Sequence, residues 1–249
     1  GKGSLPSAIL SGDPGTGKTV LSKHIAQQCK QAVGGDKFEY IYVSCAECTT
    51  EYQVAVRVGN HILDSTIPMR GHPKEEVVNR MFSAINDVEA NHVLLILDDV
   101  GRVESLNDIL YQITRNQTDS DIGVITSAND LKYNRNMEDR VQSSLSYEDN
   151  ISFPAYGARE LKTILDARAE KAFKQNGIAD EPIQLAAAIA AKKGGDARYG
   201  LQLLRRAGEL ASTDDNSQVT TDHIRGAERL TDKCRIEQVA TGLKERARV

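Results

Sequence analysis

This 249-residue chain is poor in the features that mark membrane, secreted or disulfide-stapled proteins. No apolar run approaches the roughly 20 residues that a helix needs to cross a bilayer. The opening residues lack the basic-then-apolar layout of a secretion leader. A soluble, cytosolic chain with no membrane partner is therefore expected. Cysteine is scarce, with only Cys29, Cys45, Cys48 and Cys234. Cys45-x-x-Cys48 has the spacing of half a zinc site or of a redox pair. No second Cys/His pair with ligand spacing follows it, and a cytosol keeps such thiols reduced. A basic excess is missing too. The formal net charge is −4, from 31 Lys and Arg against 35 Asp and Glu. Any contact with nucleic acid must then come from a local patch. Internal repeats and low-complexity tracts are absent. What is present is an ordinary globular composition, 40% hydrophobic and 27% charged, with material for two domains or one large one.

The chain is organised around Gly12-Asp13-Pro14-Gly15-Thr16-Gly17-Lys18-Thr19, which fits the phosphate-loop pattern G-x-x-x-x-G-K-[ST]. Ala8-Ile9-Leu10 reads as the end of a buried strand, and Val20 to Ala26 reads as a helix. The motif requires that strand–loop–helix setting. Gly12, Gly15 and Gly17 permit backbone conformations closed to other residues. The N–H groups can then surround phosphate oxygens at a helix N-terminus. Lys18 adds a positive charge for the β- and γ-phosphates, and the Thr19 hydroxyl can ligate Mg²⁺.

Strands are expected at Lys37–Cys45, Val93–Leu97, Ile122–Thr126 and Asn150–Phe153. Helices are expected at Glu51–Leu63, Lys74–Ala90, Ser105–Arg115 and Arg140–Leu145. Alternation of the two predicts an α/β domain whose parallel sheet is covered on both faces, over residues 1–154. After Pro154 only helices are expected: Ala158–Phe173, Ile183–Lys192, Ala197–Ala211 and Thr221–Cys234. Pro182 and the run Asp214-Asp215-Asn216-Ser217 mark gaps between them.

The apolar run Val93–Leu97 ends in Asp98-Asp99. Downstream of a phosphate loop, such a strand end is the expected magnesium element. Asp98 would hold Mg²⁺ through water, and Asp99 would polarise the attacking water. Asn129, just beyond the next strand, falls at the carboxyl edge of the sheet, where an amide can orient a water against the γ-phosphate.

Together these stretches resemble the archaeal initiator family of AAA+ ATPases, relatives of the eukaryotic origin recognition complex and its loading partner. Four segments carry the likeness: Gly12–Thr19, Leu94–Val100, Asp139–Leu145, and Gly195-Asp196-Ala197-Arg198 continuing through Leu203–Glu209. Val43-Ser44-Cys45, Tyr52-Gln53-Val54 and Phe153-Pro154-Ala155-Tyr156 support it. The resemblance implies an AAA+ P-loop fold with an α-helical lid at 155–234. It implies ATP, ADP and Mg²⁺ as ligands, with Val20 beside the loop. Arg140 matches the arginine finger that reaches a neighbouring subunit, hence self-association. Arg198 matches the second sensor, and an always-charged planar guanidinium suits both tasks. Tyr156 would line the adenine pocket or belong to the core. An inserted element near Arg57 to Arg80, with Ile67–His72 as its tip, would place Arg57, Arg70, Lys74 and Arg80 against DNA phosphates, giving salt-dependent, largely sequence-blind affinity.

The implied protein is a cytoplasmic, nucleoid-associated replication initiator. It would bind double-stranded origin DNA and help load the replicative MCM helicase, with nucleotide state as its switch. A remodelling or transposition-helper ATPase, or an initiator paralogue that regulates transcription, would use the same fold. Two departures stand out. Asp99 replaces the family's usual Glu, and a carboxylate misplaced by about 1 Å can cost on the order of a hundredfold in rate, so slow hydrolysis is expected. Residues 235–249 read as a linker towards an absent winged-helix domain.

Overall fold

A computed structural model describes residues 5–63, 66–115, 120–129, 137–144, 150–214 and 218–246 of the chain. It divides into two compact units: Gly1–Asp13 with Gly17–Phe153, and Pro14–Thr16 with Pro154–Val249.

The first unit is built on five parallel strands: β1 (Ala8–Gly12), β2 (Phe38–Ser44), β3 (His92–Asp98), β4 (Asp121–Ala128) and β5 (Asn150–Phe153). Their order is β2-β3-β4-β1-β5. Every residue of β3 after His92 is buried, as a central strand covered on both faces must be. Its side chains divide by the period-two rule. Val93, Leu95 and Leu97 join Val54, Val58, Val77, Met81, Ile85, Ile109 and Leu110 on one side. Leu94 and Ile96 join Leu10, Ala26, Phe38 and Ile125 on the other. The first group comes from α2 (Glu51–Ile62), α3 (Lys74–Asn86) and α4 (Asn107–Arg115), and Ala26 comes from α1 (Lys18–Val33). A short α5 (Asp139–Ser144) also belongs to this unit.

Several boundaries differ from expectation for local reasons. β4 continues to Ala128 because its last residues pair with β1, Ser11 opposite Ala128. The third helix stops at Asn86, where the Asp87 N–H turns to the carbonyls of Ile85 and Ser83. α2 begins where expected because Thr50 and Gln53 form a reciprocal capping box. Ile67, expected at the tip of the inserted element, is core. It is 2% exposed, and the Asn60 side chain holds both its N–H and its carbonyl. Leu145 and residues 130–136, which precede α5, lie outside the described residues.

The second unit packs four helices: α6 (Ala158–Ala172), α7 (Asp180–Lys192), α8 (Ala197–Thr213) and α9 (Thr221–Arg246). Leu161, Leu165, Ala186, Leu203, Leu204 and Ile224 form its core. α7 starts three residues before Ile183, because Pro182 sits in the first turn, where its missing N–H costs nothing. α9 continues past Cys234 to Arg246. The expected break at Asp214–Ser217 is described only at Asp214.

Two substitutions separate core from cap. Leu95→Ala removes a fully buried side chain from the middle of β3 and should lower unfolding free energy by about 3 kcal/mol. Thr50→Ala removes only the α2 cap and should cost about 1 kcal/mol. Urea denaturation followed by circular dichroism checks the ranking, which an equal loss from both would contradict.

Candidate functional site

The phosphate loop runs from the end of β1 into α1. Gly12 has φ 146°, and an added Cβ would lie 2.1 Å from the Phe153 carbonyl oxygen on β5. Gly15 and Gly17 also take positive φ. No side chain caps α1, whose N-cap is Gly17. Asp13 and Pro14 are exposed, while Thr16 and Lys18 are buried. The Lys18 ammonium donates to the carbonyls of Gly12 at 2.7 Å and Asp13 at 2.9 Å, which holds its charge inside the loop. Val20 is 65% exposed on the first turn of α1.

Asp98, 7% exposed, stands at the end of β3 between β2 and β4. Three hydroxyls converge on its carboxylate. Thr19 Oγ1 donates to Oδ2 at 2.7 Å and the Tyr42 hydroxyl donates to the same oxygen at 2.8 Å. Ser127 Oγ donates to Oδ1. The Thr19 proton is thereby directed at Asp98, and the Thr19 oxygen keeps lone pairs for a cation. An all-oxygen donor set of this kind suits Mg²⁺. Thr19 and Asp98 would be the residues that hold it.

Asp99 adopts a left-handed backbone, φ 59° and ψ 50°. Its N–H donates to Ser127 Oγ at 3.0 Å, so one hydroxyl serves both acidic residues. Asn129 Nδ2 donates to Asp99 Oδ1 at 3.0 Å. The two residues expected to handle a reactive water are therefore neighbours.

Tyr42 and Ser127 are functional candidates that the sequence alone does not mark. Tyr42 reads there only as strand composition, and Ser127 as the start of a loop. Burial pushes the Tyr42 phenol well above its ordinary range, and the Asp98 carboxylate pushes it further. It stays protonated, and so remains a donor. The Cys45 and Cys48 side chains are core. Burial pushes the Cys45 thiol up to about 12, with Cys48 beside it and Arg57 opposing, and it raises Cys48 as well. Thiols so shifted are protonated at neutral pH, the reverse of an activated pair.

Arg140 lies on α5 with its side chain half exposed. Its guanidinium pairs with Glu138, reaches Asp108 at 3.8 Å and sits 5.1 Å from the Tyr111 ring centre. In the second unit, Arg198 is the second residue of α8, behind an Asp196 cap that accepts its N–H at 2.7 Å. Tyr156 packs against the core of that unit, and its N–H donates to the Gly195 carbonyl.

Three of the four cations expected to face DNA are already engaged. Arg57 pairs with Glu47 at 2.6 Å and donates to the Ser44 carbonyl. Lys74 bridges Glu51 at 2.6 Å and Asp108 at 2.9 Å, and the hydrogen bond to Glu51 raises its pKa. Arg80 pairs with Glu76 one turn earlier on α3. Arg70 is exposed and makes no ion pair among the described residues.

Comparison with known proteins gives this geometry its context. Residues 5–129 match the AAA domain family, and residues 162–229 match the Cdc6 AAA+ ATPase-type lid domain. The ORC1-type DNA replication protein of Pyrococcus abyssi is 36% identical over 261 aligned positions, covering 100% of this chain and 61% of that protein. ORC1-type DNA replication protein 10 of Halobacterium salinarum is 32% identical, covering 95% of this chain and 59% of that protein. Among solved structures, the Aeropyrum pernix ORC1 protein in complex with DNA superposes with a TM-score of 0.83 at 30% identity, covering 95% of this chain and 62% of that one. The chain thus spans about three-fifths of the length of these relatives. No helix among the described residues is long and apolar enough to cross a membrane. With an AAA domain, a Cdc6-type lid and these relatives, the chain belongs to the family of AAA+ proteins that includes the archaeal ORC1-type DNA replication proteins.

Proposed function

We propose that this chain is the nucleotide-responsive part of a protein that binds origin DNA and helps load the replicative MCM helicase. ATP with Mg²⁺ is the ligand, and its hydrolysis resets the state of the protein slowly instead of driving continuous work. The observation that carries this reading is the convergence of Thr19, Tyr42 and Ser127 on the buried Asp98 carboxylate. A buried carboxylate supplied with three donors and placed across from a lysine-bearing glycine loop is a set of groups made for a phosphate-bound divalent cation.

Within that reading each side chain has a task. The loop N–H groups and Lys18 bind the phosphates. Thr19 and Asp98 would hold the cation, which would supply positive charge to offset that of the phosphates. Asp99 takes a proton from an attacking water, and Asn129, bonded to Asp99, keeps that water in place. Arg140 is the arginine finger, offered from an exposed position to a second copy, and Arg198 is the second sensor. The DNA bound by the Aeropyrum relative supports the DNA-binding half of the proposal. Arg70 is the best placed of the four cations for a phosphate contact. Arg57, Lys74 and Arg80 would first have to leave carboxylate partners.

Lys18→Ala should weaken ATP binding by about 10- to 100-fold, the worth of a charge-assisted hydrogen bond to phosphate. Isothermal titration of the purified chain measures it, and an unchanged affinity would refute the loop assignment. Arg140→Ala should leave ATP affinity intact but abolish the part of hydrolysis that rises with protein concentration. An equal loss of turnover in dilute monomer would argue against action on a neighbour.

A further inference from the structure

We infer that Tyr42 is a positioning residue for the magnesium-holding carboxylate, fixed in turn by Lys23. The inference rests on the nucleotide reading above and extends it to two residues with no assigned role.

The placement follows from strand register. β2 and β3 pair in parallel, with Ser44 opposite Asp98 and Tyr42 opposite Ile96. Residues two apart on a strand share a face, so Tyr42 lies diagonally across from Asp98 on the same side of the sheet. Its hydroxyl spans that diagonal and donates to Asp98 Oδ2 at 2.8 Å. α1 lies against this face, and its residues 19 and 23 are one turn apart. Thr19 donates to the same oxygen at 2.7 Å. Lys23 sets its ammonium 3.5 Å from the centre of the Tyr42 ring, a cation–π distance. Helix and strand are therefore joined twice, once at the carboxylate and once at the ring.

The count of lone pairs gives this arrangement a function. An ionised carboxylate offers about four acceptor directions. Thr19 and Tyr42 take the two on Oδ2, and Ser127 takes one on Oδ1. Among the described residues a single direction remains, on Oδ1, for a cation or its bound water. Without the Tyr42 hydroxyl, a second direction opens on Oδ2, and one of the three bonds that fix the carboxylate about its Cβ–Cγ bond is lost. Tyr42 thus aims Asp98. The loop backbone and Lys18, which contact phosphate directly, do not depend on it.

Mg²⁺ dependence of nucleotide binding tests the inference. ATP affinity is measured by titration in EDTA and again across a Mg²⁺ series. Tyr42→Phe keeps the ring and its contact with Lys23 but removes the donor. It should leave affinity in EDTA unchanged and raise the Mg²⁺ midpoint about tenfold, the scale on which partners of metal-holding groups act. Lys23→Ala, a change at an exposed helix position, should shift the midpoint the same way by less. A merely structural role would lower thermal stability and affinity in EDTA together, leaving the Mg²⁺ midpoint in place. That result overturns the inference, as does an unchanged midpoint in Tyr42→Phe. If the unmodified chain binds ATP no better with Mg²⁺ than in EDTA, the underlying nucleotide reading fails, and this inference fails with it.

Discussion

One buried carboxylate sets the terms for the first unit. Removing Asp98 from water is costly unless its oxygens receive donors, and those donors come from three separate elements: α1, β2 and β4. Each must arrive in register. A one-residue slip of β2 would turn Tyr42 to the opposite face, and a shorter β4 would leave Ser127 in a loop. The parallel pairing of β2, β3 and β4, the long β4 and the seating of α1 can all be seen as conditions for satisfying that one group. The apolar clusters on the two sheet faces supply the stability. The carboxylate supplies the requirement that they be arranged in only one way.

The same logic explains why some features were legible in the sequence and others were not. The loop could be read because its glycines meet backbone demands that no other residue meets, as Gly12 shows against Phe153. The central strand could be read because an uninterrupted apolar run has few other uses. Asp98 followed from the two together. Tyr42 was illegible because its ring satisfies strand composition by itself, and nothing local reveals that its hydroxyl reaches a residue 56 positions away. Ser127 was hidden by its place beside Asn129, where a serine looks like the start of a turn. Ile67 was hidden among Pro68, Gly71 and Pro73, which mark a loop without saying which member points inward. Side-chain partnership across strands is a tertiary fact, and periodicity does not carry it.

Charge tells a related story. A sequence shows where cations stand but not which carboxylates fold back to meet them. Lys74 looks like a surface lysine at the start of a helix. It instead joins α3 to Glu51 of α2 and Asp108 of α4, and Glu51 also accepts the N–H of Ile109 in the first turn of α4. Arg140 touches the same group through Asp108. The helix carrying Arg140 is therefore tied to α3 and α4 through side-chain ionic contacts, and the local net charge there is much smaller than a count of Arg and Lys suggests.

The left-handed turn at Asp99 has a bearing on how this lineage can vary. Aspartate tolerates positive φ better than most residues with a Cβ, since its short polar side chain can bond locally. Glutamate, with a longer arm, gains reach but loses that local advantage. The choice between the two acids at this position is then a contest between side-chain length and backbone comfort. A chain that keeps aspartate here has settled for an unforced peptide conformation over a longer lever.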